Sequence, residues 1–217
     1  MEGMPNPIIL LAILSILGLA PFIAIMVSSF VKLVVVMHII RSALGLQQEP
    51  PNIAISGIAI ILSMYIMAPV VMETYEQFNS HGVSIEDIRN PQLIEALEGS
   101  TDPLRQFLTK HSSASEREFF TQTTQKLWPE KYAKDITTDH LLVLIPSFMV
   151  SELTNAFQVG FLIFLPFVVI DLVISNLLMS MGMMMLSPMV ISLPFKLLLF
   201  VLVDGWSRLI HGLILSY

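Results

Sequence analysis

The sequence predicts an all-α membrane-associated protein made of long, broken or kinked helical hairpins, with a small polar helical region between two apolar halves. Hydrophobic residues make up 54% of the chain and charged residues only 13%, whereas charged residues alone average about 25% in soluble proteins. Residues 8–31 and 53–72 are uncharged and mostly apolar, and each run is about as long as the ~20 residues with which a helix crosses a bilayer core. Charges and prolines interrupt the apolar residues after position 140, which is typical of helices surrounded by protein rather than lipid.

The charge distribution argues against a nucleic-acid partner. The 217-residue chain has a net charge of −6, and the region from Glu73 to Asp139 holds twelve acidic and seven basic residues. Most of the acidity therefore belongs to one polar region, and no basic cluster is present to bind phosphates. The chain has no cysteine, which excludes disulfides, thiolate metal sites and cysteine nucleophiles.

Residues 1–72 are predicted to form an N-terminal apolar hairpin. The loop between its two apolar runs, residues 41–52, contains Gly45, a residue type that suits a helix C-terminus. Lys32 and Arg41 flank this loop, so the positive-inside rule places it in the cytoplasm. The first residues include a Glu and no Lys or Arg, unlike the positive start of a signal peptide, and we expect a mature N-terminus.

Residues 73–140 are predicted to form a polar, acidic region of short helices on the opposite, periplasmic side. Residues Thr101-Asp102-Pro103 are a helix start, with a capping residue and a proline at the first helical position. Ser115 and Glu118 have the spacing of a capping box ahead of a second helix.

Residues 141–217 are predicted to form broken helical hairpins around a methionine-rich pore loop. Pro146 and Pro166 interrupt the third apolar segment, and Pro188 and Pro194 interrupt the fourth. Such interruptions are tolerated at membrane depth where protein or a water-filled cavity surrounds the helix.

Two charges lie symmetrically about the methionines of this half. Asp171 and Lys196 are centred between Met183 and Met184, so a turn at the methionines brings both charges to the same level of an antiparallel pair. A lone charge in apolar surroundings is costly. We therefore predict an Asp171–Lys196 ion pair, within one subunit or between neighbouring copies.

The methionines are concentrated in one segment. Six of the fourteen lie between Met179 and Met189. Three in a row, Met183–Met185, sweep about 200° of helical arc and cannot all face one packing surface. Flexible thioethers suit a compliant seal, but methionine also fills irregular cores, as a stripe of Met181, Met185 and Met189 would. The residues alone leave a seal and a core filler equally open.

The remaining charges in the apolar halves allow a rival hypothesis. Asp204 and Arg208 have the i, i+4 spacing of a helix-stabilising pair. Glu152, Asp171 and Asp204 are also the acids that a small ion-coupled transporter would use as proton or cation sites. A membrane scaffold without a conduit is a third possibility.

The sequence predicts no enzyme activity and no cofactor. The five histidines are scattered without the H-E-x-x-H spacing of a metal site, and the chain has neither a phosphate-binding G-x-x-x-x-G-K-[ST] loop nor a G-x-S-x-G nucleophile elbow.

Five stretches in the two apolar halves together resemble a known family. They are RSALGLQQEPPN (41–52), MAPV (67–70), SELTNAFQVGFLIFLPFVVIDLV (151–173), MGMMMLSP (181–188) and SLPFKLLLFVLVDGW (192–206). In combination they are similar to the FliP/YscR (SctR) family, the R-type core subunits of type III secretion export apparatus. The first residues lack the pattern of a signal peptide, and in this they resemble the virulence-injectisome branch of that family.

The resemblance implies a pore-forming structural subunit of the bacterial inner membrane, multi-pass, that passes unfolded secreted proteins. It implies a homopentamer assembled with S-type and T-type subunits into a helical export gate, which lies largely at or above the periplasmic face. A U-type switch protein and a V-type export gate subunit belong to the same machine. By motif, Met183, Met184 and Met185 match the family's methionine gasket, and Asp171 and Lys196 match the charged pair that flanks it.

Overall fold

The computed structural model describes residues 7–80, 96–97, 99–183 and 185–217. This part of the chain contains nine α-helices and no strand, so the predicted all-α class is confirmed. The helices are α1 (Pro7–Met26), α2 (Phe30–Ala43), α3 (Asn52–Ser80), α4 (Asp102–His111), α5 (Ala114–Leu127), α6 (Glu130–Ala133), α7 (Leu141–Ser180), α8 (Pro188–Leu202) and α9 (Gly205–Ile214).

Helices α3 and α7 are each long and apolar enough to cross a membrane. Two bent helix pairs, α1 with α2 and α8 with α9, bring the number of candidate spans to as many as four in the described part of the chain. Helix α3 continues to Ser80, past the boundary predicted at residue 72.

The first apolar run is not a single straight helix. The axes of residues 18–26 and of α2 differ by 68°. At the bend, the hydroxyl of Ser28 donates to the Ile25 carbonyl at 3.3 Å, a local bond that competes with the helix ladder. The neighbouring Ser29 is buried and its hydroxyl donates to that of Ser63 on α3 at 3.2 Å. The bend therefore directs α2 into the centre of the molecule.

Helix α2 forms the centre of the larger apolar core. Its buried side chains recur at helical spacing along one side: Lys32, Leu33, Val36, Met37, Ile40 and Ala43. They contact α7 most extensively and α3 next. Gly45, with φ of +78°, ends this helix. The Gly45 and Leu46 amides donate to the Ser42 and Arg41 carbonyls at 3.0 and 3.2 Å, the two bonds of a Schellman motif.

Helix α7 corrects the prediction of a broken third segment. It runs unbroken for 40 residues with Pro146 and Pro166 inside it. In apolar surroundings backbone groups must pair within the helix, and a proline removes the donor to the carbonyl four residues before it, here Leu142 and Leu162. Next to Pro146, the hydroxyl of Ser147 donates to the Val143 carbonyl at 2.6 Å, and that of Ser151 to the Ser147 carbonyl at 2.8 Å. At ~1.5 Å per residue the helix is about 60 Å long.

The polar region packs on the two long helices. Helix α4 contacts α7 and α3, and α5 contacts α7. A helix starts at the predicted place, but α4 begins at Asp102, so Pro103 is its second residue rather than its first. The cap of α5 is Ser113 rather than Ser115. Ser113 has an extended backbone and its Oγ accepts from the Glu116 amide at 3.3 Å, whereas Ser115 already lies within the helix.

A smaller apolar cluster joins the polar region to the bundle. Its buried members come from the α1–α2 bend, α3, α4 and α7: Val27, Met67, Phe107, Leu108, Leu144 and Phe148. Through Phe107 and Leu108, helix α4 is therefore part of a hydrophobic core that it shares with the apolar helices.

Candidate functional site

Gly182 sets the turn between α7 and α8. Its φ is +71°, a left-handed conformation in which a side chain would be strained. Its amide donates to the Met179 carbonyl at 3.1 Å, and the Met183 amide donates to the Leu178 carbonyl at 2.9 Å. These two bonds form a second Schellman motif. The chain therefore leaves α7 directly before the consecutive methionines.

The described methionines of this turn are exposed. Met183 is 44% exposed and Met185 is fully exposed, while Met184 lies outside the described residues. Met181 and Met189 are exposed as well. A methionine that fills a core is buried, so these four do not fill the core of this chain.

Asp171 and Lys196 face each other across the α7–α8 hairpin. The Nζ of Lys196 lies 2.6 Å from Oδ2 of Asp171. The lysine side chain is 3% exposed and the aspartate side chain 36%. The turn at the methionines thus brings both charges to one level of the hairpin, and Asp171 gives the buried ammonium a partner.

The same lysine also holds the hairpin against α2. The Nζ of Lys196 donates to the carbonyl of Ala43, the last residue of α2, at 3.0 Å. Carbonyls at a helix C-terminus have no partner within the helix and carry partial negative charge. On the other side, the hydroxyl of Ser192 donates to Oδ1 of Asp171 at 2.5 Å. The ion pair therefore fixes the position of the methionine turn relative to α2.

Asp204 and Arg208 do not form the helical ion pair that their spacing predicts. Asp204 has φ of +52° and lies at the break between α8 and α9, whose axes differ by 60°. The contact between the two residues is a backbone hydrogen bond from the Arg208 amide to the Asp204 carbonyl at 3.0 Å. The i, i+4 rule requires both residues within one helix, whereas here Asp204 directly precedes the first residue of α9 and Arg208 lies inside that helix.

A second buried ion pair lies between α2 and α7. The Nζ of Lys32 is 3.8 Å from Oε1 of Glu152, and the two side chains are 6% and 2% exposed. The Tyr217 hydroxyl donates to Oε2 of Glu152, and the Lys32 ammonium lies 4.3 Å from the centre of the Tyr217 ring. Burial and the Glu152 charge raise the pKa of Tyr217, so the hydroxyl keeps the proton that it donates.

This second pair is not predicted from the sequence, where Lys32 counts as a charge flanking the first loop. The structure instead buries Lys32 near the other end of α2. Arg41 is therefore the basic residue left at the loop, and it binds the loop itself through the Pro50 carbonyl and the Asn52 Oδ1. The available signal was a lysine and a glutamate in two separate apolar segments, since each is too costly to bury without a partner.

The polar side chains bear on two alternatives, a metal site and an ion-coupled transporter. Within them, no three His, Asp or Glu side chains are placed to hold a metal ion together. A cavity of about 550 Å³ opens between α2, α7, α8 and α9, and Arg208 is the one charged residue among its lining side chains. Glu152 and Asp171, two of the acids that a transporter would need, are each in an ion pair.

Comparison with known proteins identifies the family. The chain matches the FliP family over residues 13–213. The chain belongs to the FliP family. FliP-family relatives cover it along almost its whole length. The Yop proteins translocation protein R of Yersinia pestis is 53% identical over 217 residues, which is 100% of this chain and 99% of the relative.

Two further relatives are also covered along most of their length. The hypersensitivity response secretion protein HrcR of Ralstonia nicotianae is 47% identical over 205 residues, or 93% of each chain. The virulence protein YscR of Salmonella typhimurium is 46% identical over 212 residues, covering 98% of this chain and 97% of the relative. The predicted FliP/YscR family and its virulence-associated branch are thus confirmed.

Proposed function

We propose that this FliP-family chain is a pore-forming subunit of a type III secretion export apparatus in the bacterial inner membrane. In this proposal it forms a homopentamer with S-type and T-type subunits, next to the U-type switch protein and the V-type export gate subunit. Unfolded secreted proteins pass through the conduit. The loop Met183–Met185 seals it at rest and parts when a polypeptide enters.

The placement of the methionines is the observation that carries the proposal. Met183 and Met185 are exposed in a turn whose backbone is fixed by Gly182 and whose base is held by the Asp171–Lys196 pair. A seal needs flexible apolar side chains on a rigid mount, because the side chains must close against ions and still yield to a passenger. Exposed thioethers at the tip of a braced hairpin satisfy both requirements.

The outer face of α7 supports assembly with other subunits. Large exposed apolar side chains lie along almost its whole length, from Leu142 to Met179. They include Phe157, Phe161, Leu165, Val169 and Leu172, which recur every three or four residues. A hydrophobic face of this size on a long helix needs lipid or protein to cover it. A helix of about 60 Å is twice the ~30 Å thickness of a hydrocarbon core, so lipid alone does not cover it. Neighbouring subunits supply the remaining cover in this proposal.

A conductance measurement tests the seal. We expect cells that assemble the whole apparatus to leak ions when Met183 and Met185 are both replaced by alanine, or when Met183–Met185 is deleted. The matched control replaces Met64 and Met72, which are similarly exposed but lie on α3, and it should leave conductance unchanged. Unaltered conductance in both loop variants, with the complex assembled, would refute the methionine seal.

The ion-coupled transporter is distinguished by Asp204. Among the three acids considered for it, Asp204 is the one outside the two buried pairs. Asp204→Asn should therefore leave secretion intact if the chain is a conduit subunit. Loss of transport in an Asp204→Asn complex that still assembles would favour the carrier instead.

A further inference from the structure

Tyr217 lies where three parts of the molecule meet. Its hydroxyl donates to Glu152 on α7, and its ring lies over Lys32 on α2. The same ring contacts two side chains of α4 in the polar region. It is stacked on Phe107, with ring centres 6.1 Å apart, and lies 4.9 Å from the ring of His111.

The backbone of this residue makes a further link to α4. The Nζ of Lys110 donates to the Tyr217 carbonyl at 2.7 Å. The Tyr217 hydroxyl therefore binds a buried ion pair between two apolar helices. Its ring and its carbonyl contact a helix of the polar region. The Tyr217 ring also packs on the small cluster that contains Phe107 and Leu108.

The hydroxyl has a specific part in this arrangement. Lys32 is 3.8 Å from Glu152, which is longer than a charge-assisted hydrogen bond. The Tyr217 hydroxyl donates to the other oxygen of the same carboxylate, Oε2. A buried carboxylate is costly unless its oxygens accept hydrogen bonds, and Tyr217 supplies one of those bonds, beside the one from Asn155.

We propose that Tyr217 is a positioning residue that fastens the polar helix α4 to the apolar bundle through the buried Lys32–Glu152 pair. The apolar contacts of Phe107 and Leu108 hold α4 against the bundle in a non-directional way. The hydrogen bond to Glu152 adds direction, because it fixes the ring against which Phe107 and His111 stack. This inference is independent of the proposed pore.

The natural absence of cysteine makes a single-cysteine reporter suitable. Ser112 directly follows α4 and is 7% exposed, so a Ser112→Cys thiol reacts with a maleimide only when this end of α4 opens. Ala59 on α3 is fully buried in the larger core, so Ala59→Cys reports opening of the bundle. Both reporters are placed in the full chain, purified in detergent.

Tyr217→Phe removes the hydroxyl and keeps the ring. We expect it to accelerate labelling at Ser112→Cys on the order of tenfold, the change produced by losing a hydrogen bond to a charged partner, with no acceleration at Ala59→Cys. Tyr217→Ala should accelerate the first reporter further. Tyr65→Phe, at an exposed tyrosine of α3, is the matched control and should alter neither rate.

Two outcomes would overturn the proposal. An unchanged rate at Ser112→Cys in Tyr217→Phe would show that the hydroxyl does not fasten α4. Equal acceleration at both reporters would show that Tyr217 stabilises the whole chain without positioning α4. If Tyr217→Ala does not fold, Tyr217→Phe alone decides.

A combined Tyr217→Phe/Glu152→Gln variant should label no faster than the faster single variant. Multiplied effects on the labelling rate would argue against action through Glu152.

Discussion

Two buried lysines pair with acids on the same helix, α7, in different ways. Lys196 and Asp171 belong to consecutive helices of one hairpin and are 2.6 Å apart, and the aspartate is partly exposed. Lys32 and Glu152 belong to helices far apart in the chain, are 3.8 Å apart and are almost fully buried. Tyr217 completes the second pair. The first pair sets the register of a hairpin, while the second joins two helices that are far apart in the sequence.

The largest effect is expected from breaking the more deeply buried pair. Glu152→Ala leaves the Lys32 ammonium buried without its carboxylate, which costs about 3–5 kcal/mol in comparable cases. The midpoint of thermal unfolding of the detergent-solubilised chain should fall accordingly. Replacing both partners, as Lys32→Met with Glu152→Leu, should recover most of the loss, because apolar residues of similar volume often substitute for a buried pair. A double variant as unstable as Glu152→Ala would contradict this explanation.

A smaller and asymmetric effect is expected at the hairpin pair. Asp171→Asn leaves a buried ammonium with the Ala43 carbonyl and a neutral amide, and should cost about 1–3 kcal/mol of unfolding free energy. Lys196→Met should cost less, since Asp171 is exposed enough to be hydrated and keeps its bond from Ser192.

Exchanging the two charges sharpens this second prediction. In the Asp171→Lys/Lys196→Asp variant, a carboxylate faces the Ala43 carbonyl, an acceptor that Lys196 satisfies in the parent chain. We therefore expect only partial rescue relative to the single reversals, measured as the yield of assembled complex. Full rescue would mean that the contact with α2 contributes nothing.

A pH dependence is also expected at the Tyr217 site. Burial, with additional repulsion from Lys110 and Lys32, lowers the pKa of His111 to about 4 from its ordinary 6.5. Between pH 4 and 6.5 the unfolded chain therefore binds more protons than the folded chain. The contribution of His111 to the free energy of unfolding is complete above pH 6.5 and is lost as the pH falls toward 4. Unfolding midpoints at both ends of this range should differ less in His111→Gln than in the parent. Equal differences would show that His111 does not couple to folding.

The two pairs also show how far the sequence could predict the structure. The all-α class follows from the apolar runs, and the position of the methionine turn follows from Gly182 and from the symmetry of Asp171 and Lys196, which are local features. The partner of Lys32 could not be identified locally, because its contact with Glu152 depends on a bend at Ser28 and Ser29 that redirects α2. Asp204 was misjudged because spacing alone does not reveal that the helix is interrupted between Leu202 and Gly205.

The predicted breaks in α7 failed for a related reason. Pro146 and Pro166 are helix breakers in water, where a freed carbonyl can bind solvent. Where lipid or protein replaces water, a continuous helix keeps the remaining backbone groups paired with one another. Sequence rules derived from soluble helices therefore predicted ends where the structure has one continuous rod.

The length of this rod has a consequence for how cells produce the protein. A newly made chain carries about 60 Å of apolar helix, which exceeds what a bilayer can shield even when the helix tilts. Until neighbouring subunits arrive, the uncovered part of α7 is a target for aggregation and for membrane proteases. We therefore expect the amount of stable protein in a cell to follow the supply of its partners rather than its own rate of synthesis.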